Sequence, residues 1–147
     1  MSFTETDATN YLMHVGIPAS ILGFKYVRTA IMLAGEDENI VHEITSRLYP
    51  EVARRHSTTG ARAERAIRHA VEVAWERGDY DFQLQVFGYS VSPSRGKPTN
   101  SEFIGRSADY LQSQTIATDT FTSAPVSLRA EFMELWSLFC ERRGVKA

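Results

Sequence analysis

The chain has 147 residues, of which 43% are hydrophobic and 23% charged, and its net charge is −2. This composition is that of one ordinary globular domain, and it excludes a collagen-like repeat and a disordered chain. The sequence shows no apolar run long enough for a membrane span, no secretory signal pattern and only one cysteine. We therefore expect a cytoplasmic protein without internal disulfides.

Apolar residues at helical spacing, separated by polar turns and by Gly or Pro, predict an all-α protein. In chain order the predicted helices cover residues 6–14, 20–34, 39–49, 50–56, 59–77, 80–87, 99–112 and 125–143. Thr6 and Asp7 are expected to cap the first helix, and Thr99 and Glu102 to form a capping box at the seventh. We expect one helical domain over residues 7–112, a linker over residues 113–124 and an additional amphipathic helix over residues 125–143.

The helix over residues 59–77 has two contrasting faces. At about 100° per residue, one arc holds small and apolar side chains, which predicts close packing on a partner helix: Ala63, Ala66, Ile67, Ala70, Val73 and Ala74. The opposite face presents Arg62, Arg65 and Arg68 in the first half of the helix. Glu72 and Glu76 lie in the second half, the reverse of the order that the helix macrodipole favours by about 0.3–1 kcal/mol per charge.

Two interpretations of this arginine-rich face are open. Most charged helix faces are simply solvated. A short helix, a polar turn and a longer helix with a basic first half are, however, typical of a helix-turn-helix, whose second helix enters the major groove of DNA. Arginine binds guanine O6 and N7, and glutamate accepts from cytosine N4. Nearby polar and basic side chains are candidates for phosphate contacts, against the alternative of exposed groups with no partner: Arg54, Arg55, Thr58, Arg95 and Lys97.

Six short segments of the chain are distinctive: GIPA at 16–19, LYPEVARR at 48–55, TT at 58–59, ERAIRHAVEVAW at 64–75, FGY at 87–89 and KPTNSEFI at 97–104. Together they closely resemble the DNA-binding effector domain of the master sporulation response regulator of endospore-forming bacteria, the stage 0 sporulation protein A family. The resemblance covers residues 7–111.

The resemblance implies an all-helical domain, a bundle of about six helices around a helix-turn-helix, that binds double-stranded DNA at a short box of the TGTCGAA type, often as tandem head-to-tail copies. It implies that four side chains read bases: Arg62, Glu64, Arg65 and Arg68. It also implies a contact with the RNA polymerase sigma subunit near residues 81–91, including Phe87 and Val91. The chain would then be a transcription regulator.

Two departures from the family pattern bear on regulation. The family protein carries an N-terminal receiver domain that is phosphorylated on an aspartate, whereas this chain begins a few residues before the effector domain. We therefore expect no receiver here, and DNA binding without control by phosphorylation. Ser57 stands where the family usually has asparagine, and Gly60 lies in the first turn of the predicted second helix of the motif.

The C-terminal helix falls outside the resemblance. On a helical wheel, five large apolar side chains lie within an arc of about 100°: Leu128, Phe132, Leu135, Trp136 and Phe139. Such a stripe is expected to pack on something, because each fully buried side chain of this kind is worth about 1.5–3 kcal/mol. Two alternatives are open: the helix folds back on its own domain, or it pairs with a second chain as a homodimerisation element.

The sequence carries no sign of a catalytic or metal centre. The four histidines have neither the i, i+4 spacing nor the cysteine partners of a metal site, and no phosphate-binding glycine loop or hydrolase motif occurs. We expect no cofactor, no metal and no enzymatic activity. The leading hypothesis is a sequence-specific DNA-binding regulator; the alternative is an interaction module that antagonises or pairs with a full-length regulator.

Overall fold

The structure, a computed structural model, describes residues 3–88 and 96–144, the side chains of 118–123 and 143 excepted. Within these ranges the chain is all-α, which confirms the predicted class, and no strand occurs. The α-helices in chain order are α1 (Glu5–Val15), α2 (Leu22–Glu36), α3 (Tyr49–Arg55), α4 (Gly60–Arg77), α5 (Tyr80–Phe87), α6 (Asn100–Ser123) and α7 (Val126–Arg143). A 3-10 helix (Glu38–Glu43) and a π-helical turn (Ile44–Leu48) connect α2 to α3.

The chain divides into two compact units, Met1–Ser113 and Gln114–Ala147, and the division falls within α6. The first unit contains the hydrophobic core. Its largest fully buried side chains come from several helices: Leu12, Val15, Val27, Ile31, Ile67, Phe87, Phe103 and Ile104. The helix-turn-helix formed by α3 and α4 is therefore built on the core of the first unit.

The first helix begins earlier than the sequence pattern predicted. Its N-cap is Thr4, whose hydroxyl accepts from the Asp7 backbone N–H at 3.2 Å, while the Asp7 carboxylate accepts from the Thr4 backbone N–H at 2.8 Å. Thr6 is thus an ordinary helical residue and its predicted capping role was wrong. Asp7 is the reciprocal partner in a capping box, and these hydrogen bonds lower the pKa of its carboxyl.

The segment over residues 39–49 is helical, but it is not the regular α-helix that its apolar spacing predicted. Pro50 has no backbone N–H, so an α-helical hydrogen bond to the carbonyl oxygen of Ser46 cannot form. One residue earlier, the Tyr49 N–H donates to the carbonyl oxygen of Ile44, five residues back, which is the hydrogen bond of the π-helical turn. The chain enters α3 from this turn, with Pro50 in the first turn of α3.

A further difference concerns residues 113–124, which were expected to be a linker. In the structure α6 continues through this segment to Ser123. The reason is that the segment contains neither Gly nor Pro before Pro125, while Ala and Gln favour helix. A composition rich in threonine weakens a helix without ending it.

Helices α2 and α4 approach each other closely at Gly23. A Cβ atom at that position would overlap the carbonyl oxygen of Ala66 and would lie 2.9 Å from the Cβ of Ala70. The small side chains of α4 thus allow the close helix packing that the sequence predicted. The buried stripe is displaced from the predicted one, because Val71 is buried whereas Ala66 and Val73 are only partly buried. Trp75 follows Val71 by one helical turn. The ring of Trp75 packs on Phe87 and Phe103.

The C-terminal ends of α1 and α4 are joined by one buried side chain, Gln83 of α5. Its Nε2 donates to the carbonyl oxygens of Val15 at 3.1 Å and Ala74 at 2.7 Å. Both carbonyls belong to the last turns of helices, and that of Ala74 also accepts from the Gly78 N–H at 2.7 Å. The side chain thereby fixes the end of α4 relative to α1.

Candidate nucleic-acid interface

The turn between α3 and α4 is held by backbone hydrogen bonds. The Thr58 N–H donates to the carbonyl oxygen of Ala53 at 2.9 Å, and the His56 N–H donates to that of Val52 at 3.1 Å. Ser57 adopts φ = 53°, in the left-handed region. Thr59 is the N-cap of α4, and its side chain accepts from the Arg62 N–H at 3.3 Å. These contacts give a short helix, a tight polar turn and a longer helix, the arrangement of a helix-turn-helix.

The motif is attached to α2 through His56. Its Nε2 and the hydroxyl of Thr29 are 2.7 Å apart in a hydrogen bond, and its ring lies 4.9 Å from that of Tyr26. The pKa of His56 is lowered, mainly because the ring is partly buried and also because the positive charges of Arg28, Lys25 and Arg55 lie nearby. The neutral imidazole is therefore the form that the fold stabilises.

The exposed face of α4 carries the arginines that the sequence singled out; we call Arg62, Arg65 and Arg68 the arginine face. All three side chains are exposed. Arg68 Nη2 donates to the Glu64 carboxylate at 3.1 Å, an i, i+4 ion pair. In the part of the chain that the structure describes, neither Arg62 nor Arg65 forms an ion pair. The structure thus brings the four predicted base-reading residues onto one side of α4, two of them paired with each other.

The predicted phosphate contacts on α3 are both occupied by one carboxylate. Arg54 donates to Glu51 from Nε at 3.0 Å and from Nη2 at 2.7 Å, and Arg55 Nε donates to the same carboxylate at 3.0 Å. These hydrogen bonds lower the pKa of Glu51 to about 2. Thr58 is partly exposed in the turn. The two arginines therefore stand beside α4 with much of their charge balanced.

Lys97 is the remaining predicted phosphate contact that can be placed, since Arg95 lies outside the described residues. Its Nζ donates to Oε1 of Glu72 on α4 at 2.7 Å, and this lysine lowers the pKa of Glu72. Lys97 precedes α6, so the ion pair connects the segment before that helix to the exposed side of α4. Sequence spacing gave no indication of this pair.

Asn100, which sequence reasoning missed, anchors the start of α6 to the motif. Its Nδ2 donates to the hydroxyl of Tyr49 at 3.0 Å and to the carbonyl oxygen of Glu64 at 3.3 Å. The predicted capping box is present beside it, because the Glu102 carboxylate accepts from the Thr99 N–H at 3.0 Å. The only signal in the sequence was that box, which marks a helix start and says nothing of its neighbours.

Of the two residues predicted to contact the polymerase sigma subunit, Phe87 is described by the structure and is not at the surface. Phe87 is 1% exposed and packs in the core against Trp75 and Phe103. Its side chain cannot form a surface contact in this conformation, because an aromatic ring in that position is shielded on all sides. Val91 lies outside the described residues.

On α7, the five side chains of the predicted stripe are all exposed, at 45–67% of their surface. The rings of Trp136 and Phe139 stack with centroids 5.5 Å apart. Cys140 on the same helix is buried. No described helix is both long and apolar enough to cross a bilayer.

Comparison with known families supports the interpretation of this interface. Residues 8–111, more than two thirds of the chain, match the family described as "Sporulation initiation factor Spo0A C terminal". The matched residues include most of α1, all of α2 to α5 with the helix-turn-helix, and the first half of α6. The chain therefore belongs to the Spo0A C-terminal family, the DNA-binding regulatory domains of sporulation regulators.

Proposed function

We propose that this chain reads a TGTCGAA-type box in double-stranded DNA through the first half of α4. One observation carries the proposal: Arg62 and Arg65 are exposed on one helix face and have no ion-pair partner among the described residues. Guanidinium groups in that state are available to bind guanine O6 and N7 without first breaking another contact. The DNA-binding family supports the same partner, and a place in the nucleoid follows from it.

The test is a fluorescence titration of box and scrambled duplexes at physiological salt. Arg65→Ala should weaken binding to the box by about 1–3 kcal/mol and relax the preference at one guanine. Arg77→Ala, at the far end of the same helix, removes the same charge and should leave the preference intact. Equal losses for both duplexes in Arg65→Ala would make that residue a phosphate contact, and equal wild-type affinities for the two duplexes would refute box reading.

The exposed apolar stripe of α7 favours a second proposal, that two chains pair through this helix. Paired chains would bind tandem boxes more tightly than a single box, because the second site then binds at a high effective concentration. The 147-residue chain should bind tandem boxes in this way without a phosphoryl donor.

In the alternative function, the chain is an interaction module. It would use the same helix to pair with a full-length regulator and would bind no box by itself.

Light scattering tests the pairing in the full chain. Leu135→Asp, in the middle of the stripe, should convert a dimer to a monomer. Met133→Asp is the matched control, since Met133 is 55% exposed on the same helix but lies off the five-residue stripe. A wild-type monomer, or equal effects of the two substitutions, would refute pairing through the stripe.

A polymerase sigma contact, if it involves α5, requires an exposed side chain in place of Phe87. Leu84 is 40% exposed on that helix and falls within the segment that the family resemblance indicates. Leu84→Asp should then abolish co-purification with the sigma subunit while DNA binding is retained. Unchanged co-purification would remove α5 from the contact.

A further inference from the structure

Four of the six described basic residues that were predicted to contact DNA are already paired with carboxylates of this chain. Arg54 and Arg55 bind Glu51, Arg68 binds Glu64, and Lys97 binds Glu72. The N–O distances are 2.7–3.1 Å, those of charge-assisted hydrogen bonds. A carboxylate in such a pair occupies the donors that a DNA phosphate would otherwise use.

We infer that Glu51 and Glu72 compete with DNA phosphates for Arg54, Arg55 and Lys97, and so set a low level of non-specific DNA binding. The inference rests on the proposed DNA interface. Neither Glu51 nor Glu72 is a predicted base reader. The inference gives both residues a role in setting the ratio of specific to non-specific DNA affinity.

The physical basis is that the competing pairs are weak enough to exchange. Glu72 and Lys97 are 40% and 44% exposed, and ion pairs with that access to water are worth little. A phosphate can therefore replace the carboxylate. Breaking the ion pair costs free energy, however, and this cost offsets part of the binding free energy that the new phosphate contact supplies. Non-specific binding depends almost entirely on such phosphate contacts, whereas specific binding adds contacts to bases.

The two unpaired arginines fit this division of roles. Arg62 and Arg65 lie in the first half of α4, where a helix-turn-helix reaches base edges. The described basic side chains assigned to phosphates are all partly neutralised, whereas two of the three arginines assigned to bases are not. The net result favours sequences that offer base contacts over those that offer phosphates alone.

The Glu72–Lys97 pair allows a sharp test, because the chain supplies a matched control. Glu76 lies one turn further along the exposed side of α4 and, among the described residues, forms no ion pair. Glu72→Gln and Glu76→Gln both raise the net charge by one and leave the helix geometry unchanged. Only Glu72→Gln releases a lysine.

The experiment measures binding of the full chain to an unrelated duplex and to the box duplex between about 50 and 200 mM salt. Glu72→Gln should tighten binding to the unrelated duplex about two- to fivefold, the range expected for removing one weak competing pair. Because phosphate replaces the carboxylate only partly in the wild type, the variant should also steepen the slope of log K against log salt by up to about one unit, the contribution of one full phosphate contact. Glu76→Gln should give a smaller gain and no change of slope.

A double-mutant cycle assigns the effect to the lysine. In a Lys97→Met background, Glu72→Gln should do no more than Glu76→Gln does. A gain that persists without Lys97, or equal gains for the two glutamine variants, would overturn the inference and leave only a general charge effect. Thermal melts of each variant exclude misfolding as the cause.

The result also separates this inference from the proposed function. A wild-type chain that binds both duplexes equally refutes box reading, while the unrelated duplex still reports on the competition. Glu51→Gln extends the test to α3, where releasing two arginines should steepen the slope by up to about two units. A chain whose variants all fail to bind any duplex would overturn both proposals.

Discussion

Substituting Gly23 by alanine tests how the second helix of the motif is positioned. In most helices this change stabilises, by up to about 1 kcal/mol in the interior and less in the first turn. At Gly23 the added methyl group would overlap the carbonyl oxygen of Ala66 and press on the side chain of Ala70. The atom in the way belongs to the α4 backbone, which cannot rotate aside as a side chain can.

The two helices must therefore separate, and the cost follows from overpacking. Inserting one methyl group into a well-packed contact destabilises by about 1–3 kcal/mol. After subtracting the small gain in helix propensity, we expect Gly23→Ala to be destabilising by about 1–2 kcal/mol, which lowers Tm by about 3–10 °C for a domain of this size. Because α4 carries the arginine face, affinity for the box should fall as well.

Circular dichroism melts and urea titrations measure the change in stability. Gly60→Ala is the matched control, since Gly60 also lies in the first turn of a helix and an added Cβ would meet no atom closer than 3.8 Å. That variant should be as stable as the wild type or slightly more stable. A Gly23→Ala variant that melts at or above the wild-type temperature would refute the close approach of α2 and α4.

Further outcomes are expected at other positions. Ser57→Gly should raise stability by about 0.5–1 kcal/mol, because a left-handed φ of 53° disfavours any residue with a Cβ; Ser57→Ala, which keeps the Cβ, should show no gain in the same melts. Gln83→Leu should cost about 1–3 kcal/mol in urea unfolding, since the carbonyl oxygens of Val15 and Ala74 both lose the hydrogen bond from Nε2, although the Ala74 oxygen keeps the Gly78 N–H. The lowered pKa of His56 predicts stability that is complete above about pH 6.5 and falls as the pH drops below it, because the unfolded state then binds the proton first. His56→Gln should flatten that part of the profile, and an unchanged profile would place the pH dependence on another group.

The sequence was sufficient to predict the fold where local signals and packing agree. Thr59 supplies the N-cap, Ala63 and Ala70 supply a small buried side, and α4 forms within one residue of its predicted bounds. Over residues 39–49 the apolar spacing is equally compatible with α, 3-10 and π geometry, so periodicity alone could not separate them.

The interface could be predicted less completely, for reasons of distance along the chain. Glu51 lies three and four residues before the two arginines it binds, a spacing from which the pairs could have been inferred. Glu72 and Lys97 are separated by 25 positions and meet where the start of α6 contacts α4, as the hydrogen bond from Asn100 to the carbonyl oxygen of Glu64 shows. Phe87 shows the opposite error, since an aromatic residue at the end of a short helix looks the same in sequence whether it is buried or exposed.

Stability accounts for the paired charges of the interface but not for the unpaired ones. The arginines of α3 lie in its last turn, where the helix dipole favours them, and Glu51 binds both. Arg62 lies in the first turn of α4 and Arg65 in the next, where the dipole disfavours a positive charge and no described carboxylate compensates it. Folding alone gives no reason to keep two such charges side by side. In the proposed interface a nucleic-acid ligand would supply the missing acceptors, and the family to which the chain belongs binds DNA.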